Sequence, residues 1–414
     1  VENPNSENTN IYFKANSNDV KYFLYYSNVQ DQQLPHIDQY EINDQSTFNV
    51  SLGEETQYPI SISLNSDFIL KGINKLNISV NIDNSLSDSV SAVNYEIVGT
   101  DVTSAIINND GVYKQAVNLA DLDTGYYSIQ ATIYDECFTL KSESKDFRIS
   151  YPLFVTWTMD WEGYDVSDQY LNQISEISNK YDFNLTQFYN PRLFIAGNVS
   201  SNRKAALNQW IKNRQSNGDE VGLHLHMWND MIRAAGVTPK SVPSWSNAGN
   251  GYDVIFSAYD YNESLKILEW AIREMSSNGF TDVKSFRAGG WEIDEDNFRA
   301  LDKLGIQVDS SGRTSHSLGT NLIQSKWNLA VDSRPYHPSV EDINISGEFN
   351  HNIWEFPNNG ADSYAYSYEQ MKERFDANYN EMMNEPQVVT YLSHPHWFNI
   401  DYPKLDRLFS DISQ

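Results

Sequence analysis

The feature that most constrains this chain is a change of rhythm at Tyr151. Before it, apolar residues alternate with polar ones: "LNISVNID" sets Leu76, Ile78, Val80 and Ile82 on one side, and "YYSIQATIYD" does the same with Tyr127, Ile129, Ala131 and Ile133. Period two is the pattern of strands with one buried face. The turn-forming clusters "NSLSDS", "NNDG" and "LDTG" separate these runs at short intervals. Residues 50–150 are therefore expected to form a β-sandwich of immunoglobulin-like type. Residues 1–49 read as a lead-in segment that joins the β region at most through "VKYFLYY".

After Tyr151, apolar strand-like runs alternate with helical spacing. The strand candidates are "LFVTWTM", "LTQFY", "EVGLHLH", "KSFRA", "IQVDS", "IWEFP" and "QVVTYLS". Leu171, Ile174, Ile177 and Tyr181 recur at helical intervals between the first two. Leu265, Leu268, Ile272 and Met275 precede the fourth, with Asp260 and Glu263 spaced as a capping box ahead of them. Alternating β and α units imply parallel strands with helices outside. Residues 151–414 are thus expected to form a distorted (β/α) barrel of about seven strands.

Barrels of this kind gather their chemistry at the C-terminal strand ends, and the ionisable residues fall there. Strand one ends in Asp160 and Glu162, strand three in His224 and His226, strand four in Arg287, strand five in Asp309, and strand seven in His394 and His396. On a strand, His224 and His226 share a face about 6.5–7 Å apart. Two neutral imidazoles and one carboxylate make a catalytic zinc site with an open position. Of Asp160 and Glu162, one could bind the metal while the other takes a proton from water. Arg287, backed by "AGG", could orient a carboxylate through paired hydrogen bonds, or serve as a structural ion pair. Asp309 could keep a histidine charged, or belong to a turn. One of His394 and His396 could act as general acid. The loop 227–253 carries Trp228, Trp245 and Tyr252; with Trp291, and with His396 beside them, these rings suit sugar faces.

These residues, in this order, resemble the motifs of the polysaccharide deacetylase family (the NodB-homology fold, carbohydrate esterase family 4). The family's T-F-D-D-G is matched by Thr158-Met159-Asp160-Trp161-Glu162-Gly163, its H-x-x-x-H by His224 and His226, its R-x-P-x-G by "RAGGW", and its L-x-H by "LSH" ending at His394. The resemblance covers roughly residues 150–400. It implies that Asp160 is the base, positioned by Arg287, and that Glu162, His224 and His226 hold one divalent ion, zinc first among candidates. It also implies that His394, tuned by Asp309, protonates the leaving amine. Three departures stand out: Trp161, inserted between the acids, leaves the roles of Asp160 and Glu162 open to exchange, the closer histidine spacing leaves the second histidine ligand open between His226 and another residue, and the missing proline of the third motif marks a divergent branch.

The expected activity is metal-dependent hydrolysis of N-acetyl groups, or O-acetyl groups, on a polysaccharide or oligosaccharide. Two rivals stand beside it. A metal-dependent amidohydrolase also uses H-x-H, but on its first strand, where this chain has acids. A non-catalytic glycan-binding or surface-assembly protein would keep the barrel without turnover. A net charge of −27 argues against nucleic acid and anionic membrane surfaces as partners, and favours neutral glycans. No apolar run is long enough to span a bilayer. A single cysteine, Cys137, leaves no disulfide within these 414 residues. The polar opening "VENPNSENTN" looks like the start of a chain whose signal has been removed, so a secreted or cell-surface location is expected.

Overall fold

Leu76, Ile78 and Val80 are fully buried on one face of a strand, as alternation requires, and so are Ile129, Ala131 and Ile133 on another. The computed structural model describes residues 60–413 except 74, 83–89, 110–111 and 135–138. The lead-in segment 1–49 and Cys137 lie outside the described residues. One sheet holds β1 (Ile60–Leu64), β3 (Lys75–Ile82), β7 (Val112–Asn118) and β6 (Ile107–Asn109) in that order, all antiparallel. The other runs β2 (Phe68–Leu70), β9 (Thr139–Ser150), β8 (Gly125–Tyr134), β4 (Ala92–Ile97) and β5 (Thr103–Ala105). It is antiparallel except where β2 pairs with β9. Side chains from both sheets, among them Val80, Val117, Val93 and Ile129, make one core.

Two residues past β9 the pattern changes as the sequence predicts. The strands β10 (Leu153–Asp160), β11 (Leu185–Tyr189), β12 (Glu220–Leu225), β13 (Ser285–Ala288), β14 (Val308–Asp309), β17 (Trp354–Glu355), β18 (Ala361–Asp362) and β19 (Gln387–Ser393) form one eight-stranded sheet. Its order is β17-β14-β13-β12-β11-β10-β19-β18, every pair parallel. The connections carry helices α1 (Asp168–Tyr181), α2 (Arg192–Ile195), α3 (Ser201–Ser216), α4 (Asn229–Ala234), α5 (Tyr261–Ser277), α6 (Glu295–Lys303) and α7 (Tyr368–Asn378), and α8 (Phe398–Ile412) comes after the last strand. A hairpin of β15 (Ser317–Leu318) and β16 (Ile323–Gln324) stands apart. Among the described residues β17 and β18 do not pair, so the sheet is open at that seam.

All seven strand candidates occur as strands of this sheet. The eighth, β18, has two residues and no apolar run to announce it. Helix α1 buries Leu171, Ile174 and Ile177, and α5 starts at the expected capping box: Asp260 accepts from Glu263 N, and Glu263 from Asp260 N. Each cap satisfies backbone N–H groups that a helix start leaves free. Among the described residues no helix is long and apolar enough to cross a membrane.

Candidate metal and catalytic centre

The first strand end determines which way its two acids point. β10 stops at Asp160, yet Trp161 N still donates to Phe188 O (2.9 Å), so strand geometry runs one residue further. Trp161 turns outward into the core, where its Nε1 donates to Gln187 Oε1 at 2.8 Å. Asp160 and Glu162 therefore share the opposite, inner face. The chain then leaves the strand at Gly163, whose φ of +87° lies in the left-handed region that favours glycine.

On β12, His224 sits opposite Arg287 of β13 in register, and His226 comes just past the strand end. The two ring centres are 5.0 Å apart. His224 Nδ1 bonds to Arg287 O and His226 Nδ1 to Tyr252 O, each at 2.9 Å. A carbonyl only accepts, so each Nδ1 carries its proton and donates, which leaves Nε2 as the ring atom each histidine turns toward Glu162. This is how metal-binding histidines are usually oriented. His224 Nε2 is buried with no hydrogen-bond partner. Burial, opposed by Asp160, brings His224 down to about 4, so the ring is neutral at physiological pH. One donor atom each from Glu162, His224 and His226 lies within 4.8 Å of the others. Two buried imidazoles and a buried carboxylate are a donor set that fits a divalent ion of zinc type. Gly289 is required here: a Cβ at that position would come within 2.8 Å of His226 Cγ.

Asp160 has a different partner. Arg287 is fully buried, and its Nη1 donates to Asp160 Oδ1 (2.9 Å) and Thr158 Oγ1 (2.7 Å). Its other nitrogens donate to Ser310 O and Ser310 Oγ, at 2.8 and 2.7 Å. A guanidinium held at four points holds the carboxylate in turn. The second Asp160 oxygen lies 3.9 Å from His224 Nε2.

Glu162 lies among three imidazole contacts. His226 Nε2 is 3.2 Å and His394 Nε2 3.5 Å from Oε1, and His396 Nε2 is 2.9 Å from Oε2 but outside hydrogen-bond geometry. Burial works to raise the Glu162 pKa, but His226 and His394 outweigh it and hold the carboxyl well below its usual range.

The expectation that Asp309 tunes His394 is corrected. Asp309 accepts from Ser311 N (3.0 Å) and Ser311 Oγ (2.9 Å) and faces Glu355, and among the described residues no hydrogen bond or ion pair joins it to His394. The carboxylate beside His394 is Asp362, with Oδ1 3.5 Å from Nδ1. His394 N also donates to Asp401 Oδ2 at 3.3 Å. Burial alone would lower His394; Asp362 and Glu162 overcome it and raise the ring to about 10. The physical reason is strand order: β18, which carries Asp362, is β19's neighbour, whereas β14 lies toward the opposite edge. Sequence reasoning missed Asp362 because a two-residue strand has no periodicity to detect.

The aromatic candidates divide. Trp228 is corrected as an open sugar platform: it is buried, donates from Nε1 to Glu162 O at 3.0 Å, and carries Arg192 3.8 Å over its ring. Trp245 is half-buried and lies edge-on to His226, ring centres 5.8 Å apart. Trp291 is half-buried beneath Arg313. His396 packs between Tyr164 and Trp397, at 5.0 and 3.9 Å. Tyr252, from the same loop as Trp245, stacks flat on His226 at 4.1 Å.

No protein-family model matches the chain, and no curated protein matches it. Among solved structures the chain is similar to carbohydrate deacetylases at low identity. A Mycobacterium smegmatis protein assigned as a polysaccharide deacetylase is 14% identical over 64% of this chain and 86% of its own, with a TM-score of 0.39. A family 4 carbohydrate esterase from Streptomyces lividans is 10% identical over 63% and 88%, TM-score 0.32. A peptidoglycan deacetylase from Bacillus subtilis is 11% identical over 63% and 83%, TM-score 0.32. At these values the likeness assigns no residue a role; the side chains have to do so.

Proposed function

We propose that this protein is a metal-dependent deacetylase, a divergent polysaccharide deacetylase that hydrolyses N-acetyl groups on an extracellular glycan. The observation that carries the reading is the pair of buried histidines. Their Nδ1 atoms are committed to carbonyls and their Nε2 atoms converge with Glu162, beside an aspartate held by a buried arginine.

Glu162, His224 and His226 would hold the ion, which supplies a Lewis acid for the acetyl carbonyl and favours ionisation of water. Asp160 accepts the proton of the water that adds to the carbonyl carbon, and Arg287 keeps its carboxylate aimed. His394, raised by Asp362 and Glu162, is protonated near neutrality and gives its proton to the amide nitrogen as the C–N bond breaks. Acetate and a free amine are the products. The β domain, read as immunoglobulin-like, would space the barrel or contact glycan.

The test uses the full chain, stripped with a chelator and repleted with zinc. One ion per chain and zinc-dependent acetate release from N-acetylated oligosaccharides, without new reducing ends, is the expected result. A well-folded protein that takes up no metal overturns the reading. Reducing ends without acetate would make it a glycosidase; a metal-loaded protein that releases neither across a broad glycan panel would be a binding protein.

His394→Ala is expected to slow acetate release by about 10²–10⁴-fold, the usual weight of a general acid, with metal content unchanged. Loss of the metal in that variant would make His394 a ligand instead.

A further inference from the structure

Arg313 lies in the loop after β14, close beyond the serine that anchors Arg287. It is only 8% exposed, yet the one hydrogen bond of its side chain among the described residues runs from Nη2 to the Tyr366 hydroxyl at 3.3 Å. Its Nε is buried without a partner, and so is Nε1 of Trp291, whose ring lies 4.0 Å beneath the guanidinium. Arg374 reaches the same Tyr366 hydroxyl at 3.4 Å and sits 4.9 Å over that ring. Among the described residues neither arginine forms an ion pair.

A buried charge is normally paired, because its desolvation is costly. In a chain with a net charge of −27, acids are not scarce. Among the described residues Glu292 and Asp362 are close enough for their charges to act on Arg313, but neither reaches ion-pair distance: Asp362 lies 3.5 Å from His394 and Glu292 3.7 Å from His316. Trp291 itself has a φ of +62°, a strained conformation for a residue with a side chain, and Trp327 Nε1 holds its carbonyl at 2.7 Å.

The group borders the centre on two sides. Gly290, next to Trp291, lies against the Trp245 ring, which edges His226. Tyr366 closes a turn on Asp362, donating from N to its carbonyl at 3.0 Å.

We propose that Arg313, backed by Arg374 and Tyr366 and flanked by the indole N–H of Trp291, is a subsite for an anionic substituent on the glycan, a uronate carboxylate or a sulfate ester near the acetylated residue. A planar guanidinium with free donors beside an indole N–H suits a multi-oxygen anion. The subsite reverses locally what net charge alone suggests, since an acidic chain would otherwise favour neutral glycans. The identity of the ligand as a glycan rests on the deacetylase reading; the anion preference does not.

The test is calorimetric binding to the zinc-loaded full chain, which needs no turnover. The probes are an N-acetylated tetrasaccharide that is neutral, one that contains glucuronate, and one that carries a sulfate ester. One acidic probe should bind more tightly than the neutral one, and which one it is identifies the anion. Arg313→Gln should lower the acidic-to-neutral affinity ratio by about 10–100-fold, the weight of a charge-assisted hydrogen bond. Arg374→Gln should lower it less, and it serves as the second variant if Arg313→Gln does not fold. Equal binding of all three probes, or a ratio unmoved by both variants, overturns the subsite. Arg313-dependent anion binding without any acetate release would leave the subsite standing and remove the deacetylase reading.

Discussion

Asp160→Asn should lose about 10²–10⁴-fold in acetate release while keeping its full complement of metal. The replacement is isosteric, and its amide oxygen still accepts from Arg287 Nη1, so the pocket keeps its shape while the proton acceptor is gone. Glu162→Gln should do the reverse at the first step: it weakens metal retention, because Glu162 is the carboxylate grouped with His224 and His226. Metal content after gel filtration and acetate release on the same samples separate the two. If Asp160→Asn sheds the ion and Glu162→Gln retains it, the roles of the two acids are exchanged. The pair of variants is informative because both carboxylates are buried on one strand face, and only their partners distinguish them.

Arg287→Ala is expected to destabilise the chain by about 3–5 kcal/mol, the cost of breaking a buried ion pair by removing one partner. The side chain is fully buried, and its loss strips donors from Asp160, Thr158 and Ser310 at once. Asp160 would then be a buried carboxylate without its guanidinium partner. A urea denaturation series measures the effect. Arg287→Lys should recover part of the stability but little of the activity, since one ammonium cannot replace a four-point fork. An Arg287→Ala midpoint close to wild type would mean that these bonds hold nothing the fold depends on.

The sequence by itself determined the division of the described chain into an alternating β region and a β/α region, because side-chain periodicity is a local property of the backbone. It also determined the rim residues: Asp160, Glu162, His224, His226, Arg287 and His394 all fall at ends of strands that their apolar runs predict. Tertiary structure decided which groups face one another. Asp362 rather than Asp309 meets His394 because β18 adds to the sheet beside β19, a choice made by pairing between distant segments. Trp228 is a buried strut under Glu162 rather than an open platform, because Arg192, Tyr164 and Tyr252 pack on its ring. Arg313, 153 positions from Asp160 in the numbering, became notable only once burial had left it without an acid. A residue's own pattern reports its strand and its face; its partners are set by the order in which strands assemble, and no local pattern encodes that order.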